Sequence, residues 1–204
     1  SLIGVLGGVL LAAASLSSAA EEYRLSALTF TGNHSFSYRA LSEQMITRVP
    51  SPWKRLLLGK SAEYSELLLQ QDVKTLTAFY QREGFIDVLI NRELAFNDRD
   101  QTVAVNLVIQ EGKPVSLGRI EHHFAHDSSS RPYLDKVFRE ERGKLAVSRG
   151  QRFRDEAIQQ DKTALTAALS NNGYLYAQVA VKPSLRESDY IADLLFEINQ
   201  GPLC

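Results

Sequence analysis

Apolar and polar positions along the chain follow two periods, one near two residues and one near four. Leu25, Ala27 and Thr29 alternate with Ser26, Leu28 and Phe30, the pattern of a short strand, and Thr31-Gly32-Asn33 turns the chain after it. Ser35 or Ser37 can cap a helix whose Leu41, Met45 and Val49 form one stripe, ended by Pro50 and Pro52. Ser65 can cap a second helix, with Glu66 in the first turn where the helix dipole favours it. Leu69, Val73, Leu76 and Phe79 or Tyr80 make its buried side, and Gly84 stops it in the left-handed C′ conformation. Ile86, Val88 and Ile90 then face one way, with Asp87 and Asn91 opposite, as in a strand with one wet face. Asn97-Asp98-Arg99-Asp100 reads as a turn. Val103, Val105, Leu107 and Ile109 form the inner row of the next strand, with Asn106 and Gln110 outside.

The pattern then recurs at a shift of about 89 residues. Gln70-Gln71-Asp72 falls on Gln159-Gln160-Asp161, and Leu76-Thr77-Ala78 on Leu165-Thr166-Ala167. Tyr64 meets Phe153, Gly84 meets Gly173, Phe85 meets Tyr174 and Gly112 meets Gly201. In the second copy Leu117-Gly118-Arg119-Ile120 opens a strand and Pro132 suits the first turn of a helix carrying Leu134 and Val137 or Phe138. Phe153 to Asn172 reads as the second helix, with Ile158, Leu165 and Leu169 buried. Leu175, Ala177, Val179 and Val181 form one inner strand row; Ala192, Leu194, Phe196 and Ile198 form the last. The expected fold is α+β: two tandem β-α-α-β-β modules, residues 23–115 and 116–204. Each is a three-stranded mixed sheet covered on one face by two helices. Gly32, Gly84, Gly112, Gly173 and Gly201 are expected at structural turns. Gly112-Lys113-Pro114 makes a very short linker, which limits how freely the modules swing.

Composition narrows the reading. A length of 204 residues suits two small domains, and a formal net charge of −1 gives no electrostatic case for nucleic acid or anionic lipid. The one cysteine, Cys204, excludes an intramolecular disulfide and a zinc site of the two-plus-two cysteine/histidine pattern. Leu2 to Leu16 is apolar and uncharged, and Ser18 and Ala20 are small residues of the kind found before a signal-peptide cut. Residues 1–20 are therefore read as a signal peptide cleaved after Ala20, the alternative being a membrane anchor. Trp53 to Lys60 is apolar and basic; it is expected to pack over the core, the alternative being contact with a membrane surface or a partner.

Catalytic motifs are missing: there is no G-x-S-x-G, H-E-x-x-H or Walker loop, and no enzyme activity is expected. Glu121-His122-His123-Phe124-Ala125-His126-Asp127 has the residue types of a zinc site. It leaves a strand, so alternate side chains point apart, and a solvated turn without metal is expected. No cofactor is expected.

Several features converge on one family. They are a strand ending in Thr-Gly-Asn, a helix with Asp72 and Leu76, the run Phe79-Tyr80-x-x-x-Gly84-Phe85, and a strand pair closing on Glu111-Gly112. This arrangement resembles the POTRA domain. The second copy matches through Phe153, Asp161, Leu165, Gly173-Tyr174 and Gly201, and departs where His123-Phe124-Ala125 replaces the glycine turn. The resemblance implies the periplasmic arm of an Omp85-type outer-membrane protein, which inserts β-barrel proteins or translocates polypeptides. It also implies a C-terminal membrane β-barrel beyond Cys204. The implied partners are unfolded outer-membrane or secreted polypeptides and periplasmic accessory proteins. The implied mechanism is addition of a client strand to an open sheet edge. The expected edges are Ile86, Asp87, Val88, Leu89, Ile90, Asn91 and Arg92 in copy one. In copy two they are Tyr176, Ala177, Gln178, Val179, Ala180 and Val181. Asp87, Arg92, Lys182 and Pro183 would guard them against unwanted pairing. Alternatives are the transporter arm of two-partner secretion, a membrane-anchored cell-division or scaffold protein, and a lipase with its catalytic domain elsewhere.

Overall fold

The computed structural model describes residues 23–48, 62–124, 135–136, 139–140 and 143–202. The leader, Val49, the Trp53–Lys60 segment, Pro132, Leu134, Val137, Phe138, His126, Asp127 and Cys204 lie outside them.

The first module opens with strand β1 (Arg24–Thr31) and helix α1 (Tyr38–Glu43). Ser37 is the cap, its side chain accepting from the Ala40 N–H. The helix stops at Glu43, so Met45 reaches the core from beyond its end. Strand β2 (Ala62–Glu63) and helix α2 (Glu66–Arg82) follow, the latter capped by Ser65. Glu66 and Arg82 suit the two ends of the helix dipole. Strands β3 (Leu89–Asn97) and β4 (Thr102–Gln110) close the sheet in the order β2-β1-β4-β3. β1 lies parallel to β4, and β3 antiparallel to it. The sheet therefore has a fourth, two-residue strand beyond the expected three. It is the start of the α2 segment, where Arg24 and Leu25 pair with Glu63 and Ala62.

The second module repeats this. Strand β5 (Ser116–Phe124) is followed by helical residues 135–136 and 139–140, helix α3 (Asp155–Asn171), β6 (Gln178–Arg186) and β7 (Ile191–Asn199). Its sheet order is β5-β7-β6, again with a parallel central pair. An isolated bridge between Ser116 and Arg152 stands where β2 stands in the first module. Helix α3 starts two residues later than expected from Phe153, and Arg154 at its cap makes no side-chain bond.

Each module has its own core. In the first, Leu69, Leu76 and Tyr80 of α2 meet Val103, Val105, Leu107 and Ile109 of β4. In the second, Ile158, Leu165 and Leu169 meet Leu194, Phe196 and Ile198. Strict alternation fails in β1, where Leu25 and Leu28 are the buried pair; a register shift between Leu25 and Ala27 re-phases the strand. β5 shifts register between Leu117 and Ile120. There a Cβ on Gly118 would lie 2.1 Å from the Asp193 carboxylate, which accepts the Arg119 N–H at 2.6 Å.

Candidate functional site

Among the described residues each sheet has two outer strands, β2 and β3 in the first and β5 and β6 in the second, and β3 and β6 are the pair that carries the expected open edges. Proline lacks an N–H and is tolerated in a sheet where that position faces the open edge. Pro183 stands opposite Leu194 in an unbroken β6–β7 register, so its nitrogen faces away from β7. Main-chain direction alternates along a strand, so Val179, Val181 and Leu185 point their amides outward too. β3 has the same register one repeat earlier, with Leu94 opposite Val105. Ile90, Arg92, Leu94 and Phe96 therefore present an unbroken outward row, whereas the β6 row is interrupted at Pro183.

The edges begin later than the sequence pattern implies. Leu89 to Arg92 and Gln178 to Val181 lie in the strands, and the strands run on to Asn97 and Arg186. Ile86, Asp87 and Val88 precede β3, and Tyr176 and Ala177 precede β6. After each helix the chain first makes a turn that buries Phe85 and Val88, or Tyr174 and Ala177. Leu175, expected in an inner row, is exposed. The turn glycines have positive φ: Gly32, Gly84, Gly112, Gly173 and Gly201.

The β3 edge is held to the helix behind it. Arg92 pairs with Glu66 of α2, Gln70 Nε2 donates to Glu66 at 2.8 Å, and the Tyr64 hydroxyl donates at 2.5 Å. The Tyr64 and Gln70 bonds, with Arg92, hold the Glu66 carboxyl down at about 2. Partial burial, then the neighbouring carboxylate, pushes the Tyr64 phenol up to about 12. On the opposite, wet face, Asn106 Nδ2 donates to Glu93 at 2.9 Å and the Thr29 hydroxyl donates to Asn106 Oδ1 at 3.0 Å. In the second sheet Lys182 donates across to Glu197 at 2.8 Å.

The modules meet tightly. The Val115 N–H donates to the Gly84 carbonyl at 2.8 Å, and Phe153 N–H donates to the Val115 carbonyl at 2.8 Å. Arg152 donates to Glu83 at 2.8 Å, with Arg154 at 3.3 Å from the same carboxylate. The Arg152 guanidinium also lies over the rings of Phe36 and Phe85, at 5.3 and 5.2 Å. Tyr190 hydrogen-bonds Asp87, and Lys113 sits 5.0 Å above the Tyr190 ring. A cavity of about 200 Å³ is left between Ile86, Val115, Phe153, Pro183, Leu185 and Ala192.

Sequence reasoning treated Asp72 and Asp161 only as repeat identities. Both are buried: Asp72 accepts the Ile46 and Thr47 N–H groups at 2.6 and 2.9 Å, and Asp161 those of Ala146 and Val147 at 2.7 and 2.9 Å. Their recurrence within otherwise apolar helix faces was the available signal. His122 and His123 are neighbours in β5; His122 lies 4.0 Å from Asp135.

Comparison with known proteins agrees with this architecture. The POTRA family model, described as a surface antigen variable number repeat, matches residues 23–112 and 134–201. The outer membrane protein assembly factor BamA of Neisseria meningitidis serogroup B is 22% identical over 183 residues, 87% of this chain and 21% of that protein. The BamA of Nitratidesulfovibrio vulgaris is 25% identical over 139 residues, 68% of this chain and 17% of that one. The chain thus spans about a fifth of the length of these relatives. The crystal structure of Haemophilus influenzae BamA POTRA3-5 aligns with TM-score 0.48 and 20% identity, covering 89% of this chain and 68% of that one. POTRA domains of BamA-type outer-membrane proteins lie in the periplasm. With its duplicated module matched over most of its length, this chain belongs to the POTRA family, as a tandem pair of POTRA domains of an Omp85-type protein.

Proposed function

We propose that this chain is the periplasmic, client-binding arm of a protein that assembles or transports outer-membrane polypeptides, and that it holds unfolded clients by strand addition without any catalytic step. The observation that carries the reading is the β3 edge: nine residues, paired on one side and uninterrupted by proline. A client strand would bond to main-chain groups and so be accepted with little regard to sequence. The β6 edge is the poorer site because Pro183 removes a donor. A C-terminal barrel and periplasmic accessory proteins belong to the same reading.

Each hydrogen bond contributes a net ~0.5–1.5 kcal/mol before the peptide is ordered, so affinities should fall in the micromolar to millimolar range. The test is NMR titration of the chain with extended, alternating peptides. Shifts are expected along Leu89 to Asn97. Leu94→Pro copies what β6 carries natively, so it removes one outward donor and leaves the β3–β4 ladder intact. It should weaken binding by about 2- to 13-fold, the worth of one bond. Pro183→Leu should strengthen binding at β6. Shifts confined to the helices, or a folded Leu94→Pro variant that binds as the parent does, would rule strand addition out.

A further inference from the structure

We propose that the cavity at the module junction is a side-chain pocket for one large apolar residue, aromatic or branched, of an extended polypeptide laid along β6. The proposal rests on the client-binding reading above and gives the second edge a selectivity that main-chain bonds cannot supply. The cavity measures about 200 Å³, and residues of both modules wall it. Gly84, Val115 and Ala192 at its floor are buried, whereas Gln81, Pro183 and Leu185 are exposed and form its rim. The space therefore opens beside β6.

The alternation of the strand aims the rim. Val179 of β6 is buried in the core of the second module. Pro183 and Leu185 follow it at two-residue steps and so stand on the same face. Leu185 lies opposite the buried Ala192 of β7. A strand added to the free side of β6 keeps this alternation. Its residues opposite Pro183 or Leu185 would bring their Cβ atoms to about 4.5–5.5 Å from those two, at the rim of the cavity.

The chemistry of the occupant follows from the walls. Apart from Gln81 at the rim, the lining side chains are apolar, Ile86 and Phe153 among them. A water needs several polar partners, which such side chains do not offer, whereas an apolar cavity of about 150 Å³ accepts a benzene ring. A charged or amide side chain would lose its hydration there without a partner. A phenyl or branched aliphatic group suits both the volume and the lining. Pro183 thereby acquires a second meaning. It removes one outward donor from β6, and at the same place it adds an apolar ring to the rim. The β3 edge would hold clients with little regard to sequence, and the β6 edge those with a large apolar residue in register with the cavity. Gln81, Gly84 and Ile86 come from the first module and Pro183, Leu185 and Ala192 from the second, so an occupant touches both.

The test is NMR titration of the chain with two extended, alternating peptides that differ at one central position, Phe in one and Ser in the other. The Phe peptide should shift Gly84, Val115, Leu185 and Ala192. It should bind at β6 at least about tenfold more tightly than the Ser peptide, the worth of burying one phenyl side chain. Ile86→Trp fills the cavity from the first module; it should abolish that preference and leave the shifts along Leu89 to Asn97 in place. Ala192→Ile fills the cavity from the second module if Ile86→Trp does not fold. Equal binding of the two peptides at β6, or a preference that survives in a folded, filled variant, overturns the proposal. Shifts along β3 would then show that strand addition itself stands, whereas the absence of shifts at both edges overturns both readings.

Discussion

At the scale of single residues, the modules depend on two buried carboxylates that accept main-chain N–H groups and, among the described residues, make no ion pair. Asp72 and Asp161 each take two main-chain N–H groups from the segment that follows the module's first helical turn, and so fasten that segment to the long helix. The distance along the chain between donors and acceptor differs between the copies, yet the bond pattern is the same. Asp72→Asn or Asp161→Asn puts an amide donor against one of those N–H groups. It should cost about 1–3 kcal/mol in its own module, read as a lower urea midpoint with an unchanged slope. Glu66 makes a pH prediction. Its folded pKa lies below the ordinary value of 4.5, at about 2. A depressed carboxylate stabilises above its unfolded pKa, and that contribution is lost as pH falls through the window from 4.5 to about 2. NMR titration of the Glu66 carboxyl should place its midpoint well below 4.5, and Tyr64→Phe should move it back up. Because Glu66 is half exposed, the accompanying change in stability should be small.

At the scale of elements, the repeated turn explains both what the sequence made legible and what it hid. Helices α2 and α3 and strands β4 and β7 were readable because their apolar periods extend over many residues. The starts of β3 and β6 were not. Ile86, Val88 and Ile90 alternate like a strand, but Val88 is buried in a turn and Ile86 faces the neighbouring module. A period of two cannot tell a strand from a turn with one buried and one docked side chain. β2 was missed because two residues carry no period, and the outward direction of β3 was missed because it shows only by comparison with Pro183. Gly84 tests the turn. An L side chain there meets the left-handed penalty of ~1–2 kcal/mol, as it does at Gly173. At Gly84 the Cβ would also lie 2.7 Å from the Phe153 carbonyl oxygen, a backbone atom of the other module. Gly84→Ala should therefore lower the thermal stability of the first module and disturb the resonances of Phe153 across the junction.

At the scale of the whole molecule, the junction joins the two modules through main-chain bonds and side-chain contacts. Arg152 carries most of that: it reaches Glu83 and covers Phe36 and Phe85. Arg152→Ala should leave each module folded and let them tumble more independently, seen as separate correlation times in NMR relaxation. Arg152→Lys should restore little, because a compact ammonium cannot bridge a carboxylate and stack on two rings at once. A fixed junction sets the direction in which the β3 edge faces relative to the second module, so a client held there would be presented at a set angle. The parallel central pair has a further consequence, a mechanical one. β1 begins and β4 ends the first module, and they lie side by side. Tension between the module's ends would slide these strands past each other and load their cross-links together, instead of peeling them one by one. The same holds for β5 and β7. An arm built this way should yield slowly to pulling along its length, at a rate set by its unfolding barrier.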